Sequence, residues 1–321
     1  MEDLSPRLDR ELLAGYVTPV PGMSPLRPDG AGPERRDLVA HDPQDPQAPP
    51  VRVRAYLPGG PCVPAPRPGR PVVVFVHGGG FTAGERLEWF DPLCDLYAEG
   101  AGALVVSVGY RLAPQHPYPA AQQDCRTVLR WLRRHGAELG ADGANIALAG
   151  SSSGAAVAAG LTLALRDAGE ALPGLLLLHA PVLDDRHTTP SSLLILDGRT
   201  WSRAASLAGW GAYLHPLRPG HPDVPPYAAP ARAEQLAGLP PVYLGVGDLE
   251  LGRDEVIGFG LRLSQAGVPL ELHVFPGAYH GFDIKDPQAG VSRHSLATQV
   301  DALRRALRPV SRETVEQLSS V

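Results

Sequence analysis

The chain has 321 residues, of which 36 are glycine, 35 are proline and 44% are hydrophobic, and its formal net charge is −5. This apolar content excludes wholesale disorder, and the acidic balance argues against nucleic-acid binding through a basic surface. Three cysteines without a CxxC pair argue against a disulfide framework or zinc ribbon and favour a reducing compartment. The N-terminus has no signal-peptide pattern, and no apolar run is long enough to span a membrane. We therefore expect a cytoplasmic globular protein.

The first 70 residues contain one predicted helix, two predicted extended segments and proline-rich stretches. Residues 4–14 show a short amphipathic helical pattern, and a proline-rich stretch follows from Pro19 to Pro33. Extended segments are predicted near Arg36–His41 and Val51–Leu57. Residues 58–70 are so rich in proline and glycine that a loop is expected there.

From residue 71 onward, short apolar runs alternate with longer helical patterns. The runs are rich in valine and leucine and lie at Val72–His77, Ala103–Gly109, Asn145–Gly150, Leu175–His179, Val242–Val246 and Leu270–Phe275. The helical patterns lie at residues 87–99, 120–135, 153–168, 253–266 and 293–307. Runs that are apolar on both faces suit strands buried between helix layers. The alternation predicts an α/β fold with a parallel sheet covered on both sides.

The interval between Leu175–His179 and Val242–Val246 is much longer than a crossover needs. It contains a helical pattern at Thr200–Tyr213 with two tryptophans, which favours a lid or cap. The N-terminal helix is expected to join this cap. The predicted division is an N-terminal cap segment at residues 1–35, a core at 36–184 and 235–321, and a cap insertion at 185–234.

The sequence Gly-Ser-Ser-Ser-Gly at residues 150–154 follows a predicted strand and precedes an alanine-rich helix. A strand, a sharp turn and a helix are the context of a nucleophile elbow. Ser152 stands at its centre, and the helix N-terminus favours developing negative charge. The alternative is a serine-rich turn that merely caps the helix.

A second motif, His77-Gly78-Gly79-Gly80, ends a predicted strand. Consecutive glycines leave backbone N–H groups bare, as an oxyanion hole requires. The alternative is a flexible or phosphate-binding loop, although neither GxGxxG nor a Walker lysine is present. Both motifs together predict acyl-transfer chemistry.

A general base is predicted at His280, in a loop that directly follows the last predicted strand. Functional sites gather at the carboxyl ends of strands in open α/β sheets, and the base comes last in the nucleophile–acid–histidine order. His179 and His273 are interpreted as structural. The acid should follow the preceding strand, where Asp248 and Glu250 are both candidates; because they lie two residues apart, periodicity does not choose between them.

Five segments occur in the order and spacing of one enzyme family: HGGGF at 77–81, GYRLAPQHPYPAA at 109–121, GSSSG at 150–154, RDE at 253–255 and PGAYHGF at 276–282. In these the chain resembles the hormone-sensitive-lipase-like (bacterial type IV) carboxylesterase family of α/β-hydrolases. The resemblance implies the α/β-hydrolase fold, with a mostly parallel eight-stranded sheet flanked by helices and a helical cap. It also implies a carboxylic ester hydrolase that needs no cofactor and no metal.

The resemblance assigns roles to individual residues. Ser152 corresponds to the nucleophile and His280 to the base, while the N–H groups of Gly79, Gly80 and Ser153 correspond to the oxyanion donors. The loop from Arg111 to Pro119 is expected to be structural.

The acid departs from the family pattern, in which it is commonly an aspartate. The register from Arg253-Asp254-Glu255 favours Glu250 in that position, and Asp248 remains the alternate acid.

Four aromatic residues are expected to line the substrate pocket, with packing inside the cap as the alternative: Phe81, Trp201, Trp210 and Tyr213. The predicted activity is hydrolysis of short- to medium-chain carboxylic esters through an acyl-enzyme. Amidase, peptidase or acyltransferase chemistry on the same triad stays open, as does a non-catalytic ligand-binding protein on this fold. The expected partner is a small-molecule ester, and the sequence leaves open whether the chain forms a homo-oligomer.

Overall fold

In the computed structural model, which describes residues 4–17, 32–59, 69–195 and 199–308, eight strands form one sheet. In chain order the strands are β1 (Glu34–Ala40), β2 (Val51–Leu57), β3 (Arg70–Val76), β4 (Leu104–Gly109), β5 (Ala141–Ser151), β6 (Leu175–His179), β7 (Val242–Gly247) and β8 (Leu270–Phe275). Their spatial order is β1-β2-β4-β3-β5-β6-β7-β8. β2 runs antiparallel to both β1 and β4, and every other neighbouring pair is parallel. The predicted mostly parallel eight-stranded sheet is confirmed.

Helices connect and cover the strands. They are α1 (Leu13–Val17), α2 (Asp91–Ala101), α3 (Ala120–His135), α4 (Ser153–Asp167), α5 (Pro190–Leu194), α6 (Arg203–Leu214), α7 (Arg253–Gln265), α8 (Phe282–Lys285) and α9 (Gly290–Ala306). Side chains alternate across β3, so that Val72 and Val74 face the layer that contains α3, α4 and α7. Val73 and Phe75 face the opposite layer, formed by α2 and α9. Both faces of the interior strands are therefore apolar and buried, as their sequences predict, whereas the edge strands β1 and β8 are more exposed.

Two of the predicted helices begin later in the chain than their sequence patterns predict. Residues 4–14 do not form one helix, because Asp9 is extended and its carboxylate accepts the Glu11 N–H at 2.9 Å. Two 3₁₀ turns result, at Ser5–Arg7 and Arg10–Leu12, before α1 begins. Similarly, Leu87–Phe90 is a 3₁₀ turn, and α2 begins at Asp91 with a proline in its first turn, where proline is favoured.

Some predicted features lie outside the described residues. These are most of the proline-rich stretch Pro19–Pro33, most of the loop at 58–70, and Cys62. The two cysteines that the structure describes, Cys94 and Cys125, are free and buried. Within the described ranges, no helix has both the length and the apolar character needed to cross a membrane.

The N-terminal segment packs against the end of the sheet that carries the candidate site. Four of its residues are buried: Leu4, Leu8, Leu12 and Tyr16. They form one cluster with residues that include Leu249, Tyr279 and Phe282. In addition, the Asp9 N–H donates to the Gly277 carbonyl at 3.1 Å. This segment therefore supports the loop that contains His280.

Candidate active site

Ser152 occupies a tight turn between β5 and α4. Its φ of 54° and ψ of −124° are rare for a residue other than glycine. Glycines on either side let the turn close: a Cβ atom at Gly150 would lie 2.6 Å from the backbone of Ala155, and one at Gly154 would lie 2.2 Å from the His77 carbonyl oxygen. The turn therefore presents the Ser152 hydroxyl at the carboxyl edge of the sheet, as an elbow does.

The Ser152 hydroxyl and the imidazole of His280 are in hydrogen-bond contact. Ser152 Oγ lies 2.9 Å from His280 Nε2. On the other side of the ring, His280 Nδ1 lies 2.6 Å from Glu250 Oε2. Glu250 is only 2% exposed, and its Oε1 accepts the Gly247 N–H at 2.7 Å. Three side chains from the ends of β5, β7 and β8 thus form one continuous relay.

The two carboxylates that the sequence left open have different contacts. Asp248 Oδ1 accepts the backbone N–H of Gly277 at 2.7 Å, in the turn that leads to His280. It is Glu250, and not Asp248, that lies against the imidazole. Asp248 instead ties the end of β7 to the histidine loop.

The glycine loop after β3 lies directly beside the elbow. Gly79 and Gly80 have φ values of 129° and 60°, a region that favours glycine. A Cβ atom at Gly79 would lie 2.1 Å from the Ala83 carbonyl oxygen, so the loop is too tight for a side chain there. The Phe81 N–H donates to Ser153 Oγ at 3.1 Å and fastens the loop to the elbow. Ser153 is the first residue of α4, where a backbone N–H has no partner within the helix.

His77 holds the start of this loop from within the protein. Its ring stacks on Tyr110 with centroids 4.3 Å apart, and its Nδ1 lies 2.7 Å from the Gly78 carbonyl oxygen. The Tyr110 hydroxyl donates to the His77 carbonyl at 2.8 Å. Burial lowers the pKa of His77 to about 4, so the ring is neutral at pH 7.

Of the four aromatic residues expected in the pocket, three pack on one another. Phe81 stacks on Tyr213 at 4.2 Å between centroids and lies 4.8 Å from Trp210, and all three are buried. Trp201 differs, because its ring centroid lies 6.0 Å from that of His280. Its indole also fills the space beside Gly80, where a Cβ atom would lie 2.6 Å from the ring. Trp201 is thus the member of the four whose ring lies beside the His280 imidazole and the glycine loop.

Two carboxylates in the first turn of α7 accept backbone N–H groups of the segment between β6 and β7. At the start of a helix, the negative charges of Asp254 and Glu255 favour the helix dipole. The structure adds specific contacts: Asp254 Oδ2 accepts the Ser191 N–H, and Glu255 Oε1 accepts the Leu183 N–H, both at 2.7 Å. Burial raises the pKa of Glu255 well above its usual value. Sequence patterns do not reveal these roles, because both partners lie in the long interval before β7.

No group of three or more histidine, cysteine, aspartate or glutamate side chains that could hold a metal ion occurs in the described part of the chain. The arrangement around Ser152 combines a hydroxyl, a ring nitrogen 2.9 Å from it and nearby backbone N–H groups. This combination suits nucleophilic attack on a carbonyl group.

The chain is similar in sequence and in fold to known esterases. A sequence model of the family described as alpha/beta hydrolase fold matches residues 73–284. Esterase LipI of Mycobacterium tuberculosis is 40% identical over 238 residues, which cover 74% of this chain and 72% of LipI. Carboxylesterase NlhH of the same species is 36% identical over 258 residues, which cover 80% of this chain and 79% of NlhH.

A solved structure titled Bacterial Heroin Esterase superposes with a TM-score of 0.85 at 37% identity, covering 96% of this chain and 100% of that one. The chain therefore belongs to the hormone-sensitive-lipase-like (bacterial type IV) carboxylesterase family of α/β-hydrolases, a family of carboxylic ester hydrolases.

Proposed function

We propose that the protein is a serine carboxylesterase that hydrolyses short- to medium-chain esters through an acyl-enzyme on Ser152. The observation that carries the proposal is the relay from Ser152 through His280 to Glu250, with contacts of 2.9 and 2.6 Å. Nucleophile, base and orienting acid are each within hydrogen-bond reach, as a serine triad requires.

In the acylation step, His280 Nε2 takes the proton of the Ser152 hydroxyl as Oγ attacks the ester carbonyl carbon. The carbonyl oxygen becomes negatively charged and accepts hydrogen bonds from the N–H groups of Gly79, Gly80 and Ser153. The protonated His280 then gives its proton to the alcohol oxygen, the C–O bond breaks and the alcohol leaves. In deacylation, water takes the place of Ser152 and His280 acts as base again.

Glu250 acts through His280 rather than on the substrate. Its buried carboxylate accepts the His280 Nδ1–H and keeps Nε2 free to receive the proton of Ser152. The Gly247 N–H holds the other carboxylate oxygen, so the acid is fixed from both sides. A negative charge at this position also stabilises the imidazolium that forms during attack.

Trp201 is proposed to limit the size of the acyl or alcohol group, because its indole borders both His280 and the glycine loop. Phe81, at the end of this loop, packs on the buried rings of Trp210 and Tyr213. With the proposed cap insertion at residues 185–234 above the site, acyl chains of about two to eight carbons should react fastest. A small-molecule ester is then the substrate.

We also propose a cytoplasmic location, which the free thiols of the two described cysteines support.

The experiment that tests this proposal follows p-nitrophenol release in the pre-steady state with p-nitrophenyl esters from acetate to palmitate. An acyl-enzyme mechanism predicts a burst of one p-nitrophenol per active site when deacylation is slow. Butyrate should be hydrolysed faster than palmitate, and faster turnover of palmitate would contradict the size limit. Added alcohols should not divert most of the acyl group; if they do, the protein is an acyltransferase. Binding of esters without turnover would indicate a non-catalytic binding protein.

A further inference from the structure

A second acid–imidazole pair lies beneath the proposed catalytic relay. His179 is the last residue of β6 and Asp283 lies in α8, with His179 Nε2 2.8 Å from Asp283 Oδ2. The two residues are 2% and 1% exposed. Neither takes part in the reaction steps described above, so the pair has no role in the chemistry itself.

The pair connects the two segments that carry the nucleophile and the base. The backbone carbonyl of His179 accepts the Ser152 N–H at 2.9 Å, which anchors the strained elbow to β6. Asp283 lies three residues after His280, in the short helix that follows the histidine loop. Ser152 and His280 meet again through their side chains at 2.9 Å. The four residues therefore form a closed circuit, in which the His179–Asp283 contact spans the distance between elbow and histidine loop.

The surroundings hold the pair in one arrangement. Gln299 of α9 places Nε2 3.4 Å from both His179 Nδ1 and Asp283 Oδ2. The Tyr97 hydroxyl donates to Gln299 Oε1 at 2.5 Å and thereby fixes the amide. His179 Nδ1 also lies close to β7, since a Cβ atom at Gly245 would come within 3.2 Å of it.

The two groups also stabilise each other's charged forms. Burial by itself would lower the pKa of His179, but the neighbouring Asp283 carboxylate outweighs it and raises that pKa. Burial would likewise raise the pKa of Asp283, and His179 outweighs it and lowers that pKa. A buried ion pair is a poor source of net stability, because removing both charges from water costs as much as their attraction returns. Net stabilisation therefore does not account for this pair, whereas its location between the elbow and the histidine loop does suggest a role.

We propose that His179 and Asp283 are positioning residues that hold the Ser152 elbow and the His280 loop at hydrogen-bond distance during acyl transfer. This inference rests on the proposed function. A displacement of about 1 Å between reacting groups can cost about 10²-fold in rate, so a brace at this point controls turnover rather than substrate affinity.

The test compares Asp283→Asn, His179→Asn and the double variant with the wild-type enzyme, using p-nitrophenyl acetate. Each single variant should lower kcat by about 10- to 100-fold and leave KM within about twofold. The double variant should lose no more than the worse single variant, because either change alone breaks the circuit. The matched control is Asp42→Asn, which neutralises a buried carboxylate that pairs with Arg130 at 3.1 Å, outside the elements of the active site. This control should lower the thermal midpoint while kcat stays unchanged.

The inference is overturned by unchanged kcat in both folded single variants, by losses that multiply in the double variant, or by an equal loss of kcat in the Asp42 control. If neither single variant folds, the pair serves the fold as a whole, which also contradicts selective positioning. Wild-type enzyme is measured in the same assay. Its failure to turn over the ester would refute the proposed function, whereas an active wild type with fully active variants refutes this inference alone.

Discussion

The Glu250→Gln variant tests whether Glu250, rather than Asp248, is the acid that orients His280. In the wild-type protein, Glu250 Oε1 accepts the Gly247 N–H at 2.7 Å and Oε2 faces His280 Nδ1 at 2.6 Å. In Glu250→Gln, the Gly247 N–H still needs an acceptor, so the amide oxygen takes that side. The amide NH₂ then faces Nδ1 and forces the ring proton onto Nε2, where it blocks proton transfer from Ser152.

The expected loss is about 10⁴-fold in kcat, equivalent to about 5 kcal/mol of transition-state stabilisation, as for a triad whose histidine is held in the wrong tautomer. KM should change little, because Glu250 is buried behind the imidazole. Asp248→Asn is the matched comparison. Its amide oxygen can still accept the Gly277 N–H, so kcat should fall less than 10-fold.

Both variants are assayed with p-nitrophenyl butyrate after thermal melts have shown matching folding. A loss above 10³-fold confined to Asp248→Asn would refute the assignment of Glu250 as the orienting acid. Comparable large losses in both variants would mean that the position of the histidine loop matters as much as the carboxylate contact itself.

Three further changes test other parts of the site. The pKa of His77 is about 4 in the folded protein against 6.5 in the unfolded chain, so below pH 6.5 the unfolded state binds the extra proton and stability falls as the pH drops. Between pH 7 and pH 5 the wild type should lose about 2 kcal/mol of unfolding free energy through His77. Urea titrations of His77→Phe should show a loss that is smaller by this amount. The same loss in wild type and variant would contradict a buried neutral ring. Trp201→Ala should shift the preferred p-nitrophenyl ester toward longer acyl chains; an unchanged profile would remove Trp201 from the pocket. Gly80→Ala places a Cβ atom 2.6 Å from the Trp201 ring at a φ of 60°, so kcat should fall at least 10-fold in steady-state assays, and wild-type turnover would show that the loop can adapt.

Much of the fold could be predicted because its signals are local. Strands such as β3 and β6 are apolar on both faces, and their bounds agree with the predicted runs to within two residues. The elbow and the glycine loop are sequence-local as well, since each depends on glycines that the turn itself requires.

Other features depend on the assembled fold. The choice between Asp248 and Glu250 needs the turn after β7, where the Glu250 N–H donates to the Gly247 carbonyl at 3.3 Å. This turn is not extended, so two residues that alternation would place on one side make separate contacts. The pairing of His179 with Asp283 depends on the order of strands in the sheet, which no single segment encodes. At the N-terminus, the local capping by Asp9 interrupts a helical pattern that apolar spacing alone predicts.

Covalent labelling shows whether Ser152 is the residue that becomes acylated. Wild-type protein, Ser152→Ala and Ser151→Ala are treated with diethyl p-nitrophenyl phosphate, and the adduct is located by mass spectrometry. We expect one diethylphosphoryl group per chain on the Ser152 peptide of the wild type, the same label on Ser151→Ala and none on Ser152→Ala, whose kcat should be at least about 10⁴-fold lower. Labelling of Ser152→Ala at another serine, together with retained ester hydrolysis, would contradict this expectation.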